Sequence, residues 1–182
     1  MRIISGKYRG FTIVEPAVST TRVSKERLRE GLFSALFHDI KGALVLDLFA
    51  GSGSLGFEAL SRGAAKVSLV DTNFECVKCM NKTIQNFKIR DKSVEVFYAA
   101  YPSALNLFLS HFDVVFLDPP YGEFDFDSII EQMLTKNLIN GGTIIVIEDL
   151  KYFASTSFSF LSEKKYKYGI NHITIVKGVE RK

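Results

Sequence analysis

The fold is decided by residues 43–56, ALVLDLFAGSGSLG, where a short apolar run leads into a glycine-rich turn. The turn contains the pattern G-x-G-x-x-G at Gly51, Gly53 and Gly56. Glycines let the chain turn sharply after a strand, and they bring backbone N–H groups close to a ligand at the N-terminus of the next helix. The stretch therefore predicts a strand, a ligand-binding loop and a helix.

On both sides of this stretch, short apolar runs alternate with helix-like segments. The runs lie at 43–49, 66–70, 94–98, 112–117 and 143–147, and the helical patterns lie at 54–61, 73–87, 102–109 and 126–134. Near-continuous apolar strands that alternate with helices indicate a parallel sheet covered on both faces. We therefore predict a Rossmann-like, doubly wound α/β fold.

Both ends of the chain show hairpin patterns. Residues 158–167 and 170–177 have no helix between them, which predicts an antiparallel hairpin at one sheet edge and seven strands in total. Residues 2–5 and 11–15 are short extended runs around a tip, and helical spacing follows over 24–38. We expect residues 1–40 to form an N-terminal extension, with a β-hairpin and a helix, on a domain of residues 41–182.

Composition restricts the class of protein. The 182 residues, 47% of them hydrophobic, suit one compact unit. We expect a cytoplasmic protein, because the sequence shows neither a membrane-length apolar stretch nor a secretory signal. We also expect a monomer. Cys76 and Cys79 lie one turn apart, but no histidine has metal-ligand spacing near them, so we expect free thiols and no metal site.

Charge divides the chain into three parts. Residues 1–30 hold seven Lys/Arg against three Asp/Glu, and residues 151–182 hold seven against two, whereas residues 31–150 hold nine against fifteen. Lys and Arg contacts with phosphates supply most nonspecific affinity for nucleic acid. The basic ends therefore suggest a polyanionic partner, with an ordinary solvated surface as the alternative.

Acidic residues at the strand ends indicate which cofactor the glycine loop would bind. Asp71 follows Gly51 by 20 residues, the separation expected of an acid that binds ribose hydroxyls. NAD would suit the same geometry, but carboxylates at Asp47 and Asp118 would repel its diphosphate. S-adenosylmethionine carries a sulfonium and an ammonium group, which these acids favour. Asp47 could instead brace the loop by accepting backbone N–H bonds.

The tetrapeptide Asp118-Pro119-Pro120-Tyr121 follows the apolar run 112–117. A carboxylate and main-chain carbonyls can accept hydrogen bonds from an amine, two prolines stiffen the backbone and remove its donors, and a tyrosine ring can stack on a heterocycle. This combination suggests methylation of a planar nitrogen. A proline-rich turn that only ends a strand is the alternative.

Together, the glycine loop and the tetrapeptide resemble the motifs of class I S-adenosylmethionine-dependent methyltransferases. More specifically, the chain resembles the RsmD family of bacterial small-subunit (16S) rRNA (guanine-N2)-methyltransferases from end to end. The resemblance is carried by residues 2–10 (RIISGKYRG), 22–33 (RVSKERLREGLF), 47–56 (DLFAGSGSLG), 58–63 (EALSRG) and 118–121 (DPPY).

The resemblance implies the cofactor, the partner and the site residues. It implies S-adenosyl-L-methionine as cofactor and rRNA as substrate, within the small ribosomal subunit or an assembly intermediate, with no membrane partner. The implied catalytic residues are Asp118, Pro119, Pro120 and Tyr121. The implied cofactor contacts are Asp47, Phe49, Ala50, Gly51, Ser52, Gly53, Asp71, Ala100 and Asp118. The implied RNA contacts are Lys7, Arg9, Arg22, Arg27 and Arg29, in an extension that would also help to close the site.

The chain departs from the family pattern in two places. The family's R-P-T-x-D-x-x-R-E occurs here as residues 22–30, with Val23 in place of proline and Glu26 in place of aspartate. At the end of the third strand, where an Asp or Asn usually contacts the adenine amine, the chain has Ala99-Ala100-Tyr101. The adenine contact must therefore come from another group.

Three other activities remain open at this point. Adenine-N6 methyltransferases of nucleic acids and protein glutamine methyltransferases share the loop at Asp118, but they more often begin it with Asn. A dinucleotide-binding oxidoreductase would use the same glycine turn. Basic terminal segments and small size favour rRNA over DNA, because DNA adenine methyltransferases typically add a recognition domain.

Overall fold

A seven-stranded sheet forms the centre of the computed structural model, which describes residues 1–17 and 22–182, with side chains for 1–17 and 26–182. The strands are β1 (Leu44–Asp47), β2 (Lys66–Asp71), β3 (Val94–Tyr98), β4 (Val114–Leu117), β5 (Ile144–Asp149), β6 (Phe158–Tyr168) and β7 (Asn171–Arg181). The helices are α1 (Arg22–Ala35), α2 (Ser54–Ser61), α3 (Phe74–Asn86) and α4 (Phe126–Thr135).

The strand order β3-β2-β1-β4-β5-β7-β6 confirms the doubly wound fold. Strands β1 to β5 are parallel, and β7 and β6 add an antiparallel hairpin next to β5. The chain leaves β1 toward β2 on one side and reaches β4 on the other. Ligands bind at this kind of switch point, beyond the carboxyl ends of the strands. We call that side of the sheet the carboxyl edge and the opposite side the amino edge.

Each face of the sheet has its own apolar core. One core contains Val45 and Phe116 with residues of α1, α2 and the N-terminal segment. The other contains Leu46 and Val115 with residues of α4. Neighbouring residues of one strand join different cores because side chains alternate across a strand.

Two predicted elements differ in extent from the structure. The segment predicted as helix at 102–109 is a short 3₁₀ helix over Ser103–Leu107, where only Ala104 and Leu105 are buried among its residues. The Ser103 hydroxyl donates to the Ala100 carbonyl at 2.7 Å, a local bond that competes with regular helix at its start. The C-terminal hairpin is longer than predicted, since β7 continues to Arg181.

The N-terminal hairpin is paired loosely and is docked on α2. It contains a single β-bridge, between Arg2 and Thr12. Near its tip, the Lys7 N–H donates to the Ser61 carbonyl at 2.7 Å, and the Tyr8 N–H donates to the Ser61 hydroxyl at 2.9 Å. Ser61 ends α2, which runs back from the carboxyl edge, so the hairpin tip lies at the amino edge.

The carboxylate of Glu58 fixes the rest of this segment. Glu58 is fully buried, and its oxygens accept from the N–H groups of Ile4 at 2.9 Å and Ser5 at 3.1 Å and from Nε of Arg62 at 2.8 Å. A buried charge is tolerated only when it is paired and hydrogen-bonded. The N-terminal segment and α2 therefore depend on each other.

Asp47 connects the end of β1 to α2. Its buried Oδ2 accepts from the Gly56 N–H at 3.1 Å. The pKa of Asp47 is raised to about 7, chiefly by burial and also by the charges of Asp118 and Asp71, while the bond from Gly56 opposes the shift. Asp47 thus braces the glycine loop from behind, the role left open by the sequence.

Within the described part of the chain, no helix has the length and apolar character needed to cross a membrane.

We predict that Gly6→Ala destabilises the fold more than Gly10→Ala. Both glycines have positive φ, 86° and 82°, but a Cβ at Gly6 would lie 1.8 Å from the Ser61 carbonyl oxygen, whereas a Cβ at Gly10 would meet nothing within 4 Å. Both variants should lose about 1 kcal/mol or more for the left-handed backbone, and Gly6→Ala should lose an additional ~1–3 kcal/mol for the clash. Denaturant unfolding measures the difference, and equal losses would contradict the docked tip.

We predict that Asp47→Asn changes the pH dependence of stability. The folded pKa of about 7 exceeds the ordinary value of 3.8, so the protonated form favours folding and this contribution is lost as pH rises through 7. Asn keeps an acceptor for Gly56 and does not titrate. Between pH 5 and 8 the wild type should therefore lose on the order of 3 kcal/mol of unfolding free energy relative to the variant. Parallel denaturant titrations at both pH values test this, and an unchanged difference would refute it.

Candidate active site

A cavity of about 610 Å³ opens at the carboxyl edge. Its lining includes residues of four loops that follow β1, β2, β3 and β4, and further residues come from the N-terminal segment and α1. Because the carboxyl ends of parallel strands meet at one edge, the glycine loop and the Asp118 tetrapeptide face the same space. The predicted site residues that line it are Phe49, Ala50, Gly51, Ser52, Asp71, Ala100, Asp118, Pro119, Pro120 and Tyr121.

The glycine loop turns through left-handed backbone. Gly51 has φ 55° and Gly53, the N-cap of α2, has φ 76°, values that other residues adopt at a cost. The Gly53 N–H donates to the Ala50 carbonyl at 2.7 Å, which closes the turn. Gly53 and Asp47 themselves lie behind the cavity rather than among its described lining residues.

The Asp71 carboxylate is held in a fixed orientation at the cavity wall. Its Oδ2 accepts from the Gly51 N–H at 2.7 Å, and its Oδ1 accepts from the Asn73 N–H at 2.7 Å. A carboxylate has about four acceptor positions, so each oxygen can accept a further bond. Asp71 therefore both ties the first loop to the second and presents acceptors to a ligand.

Three aromatic rings, inclined to one another by 50° to 81°, form an apolar wall on one side of the cavity. The ring centroids of Phe49 and Phe124 are 5.0 Å apart, and Tyr101 lies 5.7 Å from Phe124 and 6.3 Å from Phe49. The Tyr101 hydroxyl accepts from Nε2 of Gln132, which fixes this ring. The sequence analysis did not predict Phe124 as a site residue, although its position three residues after Tyr121 places it in the same loop.

The Asp118 tetrapeptide forms the opening of the cavity. Asp118 is half-buried, Pro119 is buried, and Pro120 and Tyr121 are exposed. A turn follows, in which the Glu123 N–H lies 3.4 Å from the Pro120 carbonyl. The tetrapeptide thus presents a carboxylate from its buried end and a ring from its exposed end.

Tyr121 is connected to the C-terminal hairpin. Its hydroxyl donates to Oδ1 of Asn171 at 3.3 Å, and Nδ2 of Asn171 donates to Oε1 of Glu148 at 2.7 Å. The pKa of Tyr121 is raised to about 12, chiefly by burial and also by the carboxylates of Glu148, Asp118 and Asp149. The hydroxyl therefore stays protonated at neutral pH, while 43% of the residue remains exposed.

The charge of the cavity is mainly negative. The acids that line it are Glu15, Asp71, Asp118, Glu123 and Glu148. The cationic groups among its described lining residues are the Arg29 side chain and the Met1 ammonium, which is paired with Glu15. Such a lining disfavours a diphosphate and favours a ligand with cationic centres.

The basic residues expected to contact RNA lie in three different environments. Lys7 and Arg9 are exposed at the amino edge, away from the cavity, and Arg27 is exposed on α1. Arg29 differs from the expectation, because it is only 2% exposed and lines the cavity. The side chain of Arg22 lies outside the described residues.

The two cysteines are free thiols, as expected. Cys76 is buried beside the cavity, and burial, with smaller contributions from Asp71, Cys79 and Glu75, raises its pKa to about 11. Across residues 1–17 and 22–182, no cluster of three or more His, Cys, Asp or Glu side chains could hold a metal ion. We therefore assign no catalytic role to the two thiols.

Comparison with known proteins places the chain in a family. Residues 1–177 match the model of a family described as Conserved hypothetical protein 95. Ribosomal RNA small subunit methyltransferase D of Haemophilus influenzae is 33% identical over 169 residues, which cover 90% of this chain and 88% of that protein. The protein of the same name from Escherichia coli K12 is 34% identical over 155 residues, which cover 85% and 74%.

A solved structure shows the same architecture. The Escherichia coli protein yhhF, described as a proposed methyltransferase, superposes with a TM-score of 0.82 at 27% identity, covering 98% of this chain and 97% of that one. The match over nearly the full length of the chain, together with relatives above 30% identity, leads to one conclusion: the chain belongs to the RsmD family.

Proposed function

We propose that the protein transfers a methyl group from S-adenosyl-L-methionine to the exocyclic N2 amine of a guanine in small-subunit rRNA. The observation that carries the proposal is the meeting of the Asp118 tetrapeptide and the glycine loop in one cavity. The names of the relatives support rRNA as the substrate class. The choice of guanine N2 rests on the resemblance of the motifs to the RsmD pattern.

The proposed cofactor fits the residues of the cavity. Its two cationic centres suit the acidic lining, its ribose suits the fixed carboxylate of Asp71, and its planar adenine suits the wall of Phe49, Tyr101 and Phe124. That wall and the backbone at Ala100 would replace the missing acidic or amide contact with adenine. When bound, the cofactor supplies an electrophilic methyl group on its sulfonium. The N-terminal extension, residues 1–40, would help to close the site around the cofactor.

Asp118 and Pro119 would activate the amine by orienting it. Guanine N2 is a poor nucleophile because its lone pair is delocalised into the ring. The Asp118 carboxylate and the Pro119 carbonyl would accept its two N–H bonds, so that the nitrogen becomes pyramidal and its lone pair points at the methyl group. Methyl transfer would form the N–C bond as the C–S bond breaks, and Asp118 would accept the proton that the nitrogen then releases.

This mechanism relies on positioning rather than on a strong base. The proton becomes acidic only once the N–C bond is forming, so Asp118 need not be a strong base. Holding two reactants in line can supply about 7–11 kcal/mol of the barrier. The exposed ring of Tyr121 would stack on the guanine after it is turned out of its helix.

The surface next to Tyr121 suits the phosphates around such a base. Asn171 begins β7, and the neighbouring residue His172 packs edge-on against Tyr152 with ring centroids 4.6 Å apart. Lys165 lies 5.9 Å from the same ring, and Lys167 pairs with His172 across the strands. We call Tyr152, Lys165 and Lys167, all exposed at the carboxyl edge, the basic hairpin face.

Product analysis tests the proposal against its rivals. The protein is incubated with labelled S-adenosylmethionine and separately with rRNA, small subunits, assembly intermediates and DNA, and the labelled base is identified by digestion and mass spectrometry. We expect label on guanine N2 of rRNA. Label on adenine N6 or on protein glutamine would replace the proposed target, and tight NADH binding without S-adenosylhomocysteine binding would replace the enzyme class.

We predict that Asp118→Asn reduces methyl transfer by about 100-fold or more, because the variant loses the charged acceptor for the amine and the proton. The fold should be retained, since Asp118 lies in a loop beyond β4. Single-turnover transfer and calorimetric binding of S-adenosylhomocysteine separate the two effects. Asp39→Asn, the same chemical change at a partly exposed residue in the turn before β1 and outside the described cavity lining, serves as the control. Undiminished transfer in Asp118→Asn would exclude the proposed role.

We predict that the double substitution Lys165→Gln and Lys167→Gln weakens rRNA binding and lowers its salt dependence. Each lost phosphate contact should reduce the slope of log affinity against log salt by about one. The slope is measured by titration of an rRNA fragment over a series of salt concentrations. S-adenosylhomocysteine should bind as before.

Removal of two positive charges elsewhere provides the matched control. Lys88→Gln with Lys92→Gln changes two exposed residues of the loop before β3, at the amino edge. An equal loss of slope in both double variants would mean that net charge, rather than the basic hairpin face, sets the affinity.

A further inference from the structure

Arg29 is a buried guanidinium with unused donors. It lies in α1, is 2% exposed, and lines the cavity at the carboxyl edge. Its Nη2 donates to the Arg2 carbonyl at 2.8 Å, whereas its buried Nε and Nη1 have no hydrogen-bond partner among the residues whose side chains the structure describes. A buried donor without a partner costs about 1–3 kcal/mol, and more when it is charged. The folded protein therefore contains buried, unsatisfied guanidinium donors at this position, at a cost in stability.

Nearby acids do not satisfy this charge by hydrogen bonding. Burial lowers the pKa of Arg29, and the charges of Glu58, Glu26 and Glu15 act in the opposite direction. The Glu58 oxygens already accept from the N-terminal backbone and from Arg62. The acids thus hold the guanidinium in its charged form without occupying its free N–H groups.

Arg29 and the aromatic wall reach the cavity from different faces of the sheet. Leu28, next to Arg29, packs in the core that contains α1 and α2. Phe49, Tyr101 and Phe124 pack against the core on the other face. A ligand that places a planar ring on the aromatic wall therefore has its far end available to Arg29, near the first turn of α2.

We propose that Arg29 binds the carboxylate of the amino-acid moiety of S-adenosylmethionine; this inference rests on the proposed function. The cofactor carries two cationic centres and one anionic group. The described lining of the cavity carries several acids, the Met1 ammonium, which is paired with Glu15, and one cationic side chain. A carboxylate accepts charge-assisted bonds from a guanidinium and would satisfy the unused donors. Arg29 then acts on the cofactor rather than on RNA.

Two ligands that differ only in this carboxylate test the proposal. S-adenosylhomocysteine has the group, and its decarboxylated analogue, 5′-deoxy-5′-(3-aminopropylthio)adenosine, lacks it. Calorimetry on the wild-type protein should show a preference of roughly 10- to 100-fold for S-adenosylhomocysteine, the range expected of a hydrogen-bonded charge. In Arg29→Met the preference should nearly vanish, because S-adenosylhomocysteine loses affinity and the analogue does not. Arg29→Lys should keep part of it.

Arg90→Met, the same change at an exposed arginine in the loop before β3, should retain the full preference and serves as the control. Equal affinities of the wild type for both ligands would overturn the proposal even if Arg29→Met failed to fold, and so would a preference that persists in Arg29→Met. If the wild type bound neither ligand, the proposed cofactor itself would be wrong, which is a distinguishable result.

Discussion

The hydrogen bonds to the buried carboxylate of Glu58 are the interaction on which the site depends. They hold the N-terminal segment against α2, and that segment carries the Arg2 carbonyl that accepts from Arg29. Helix α2 also begins at the glycine loop and is braced there by Asp47. One short helix therefore fixes the glycine loop at its first turn and, through Glu58, the N-terminal segment that contacts Arg29. Loss of this carboxylate would leave two backbone donors and Arg62 without their partner.

Much of the fold could be predicted from the sequence, because buried parallel strands are visible as short apolar runs. The meeting of Gly51, Asp71 and Asp118 could be predicted as well, since each follows a strand and all such ends share one edge. Docking could not. Glu58 lies in a stretch that resembles the family. However, the spacing of residues along the sequence does not show that its carboxylate accepts hydrogen bonds from the backbone of residues 4 and 5. The burial of Arg29 was missed for the same reason, since a helical pattern does not reveal which segment will cover it.

The placement of basic residues also changes the expected approach of RNA. The sequence drew attention to Lys7 and Arg9 at the tip of the first hairpin, and the structure puts them about one short helix, roughly 12 Å, from the carboxyl edge. The second hairpin reaches the carboxyl edge because β7 is antiparallel to β5. A large RNA could contact both surfaces, but the basic hairpin face is the one beside Tyr121.

The chain of hydrogen bonds from Tyr121 through Asn171 to Glu148 joins three separate strands and loops. Asn171 lies at the turn of the C-terminal hairpin, directly before the residue that pairs with Lys167. A displacement of that turn would therefore be transmitted to the ring of Tyr121. Recognition of the phosphate backbone and orientation of the stacked base would then be mechanically coupled. An RNA bound to the hairpin in the wrong register would also have its base held at the wrong angle.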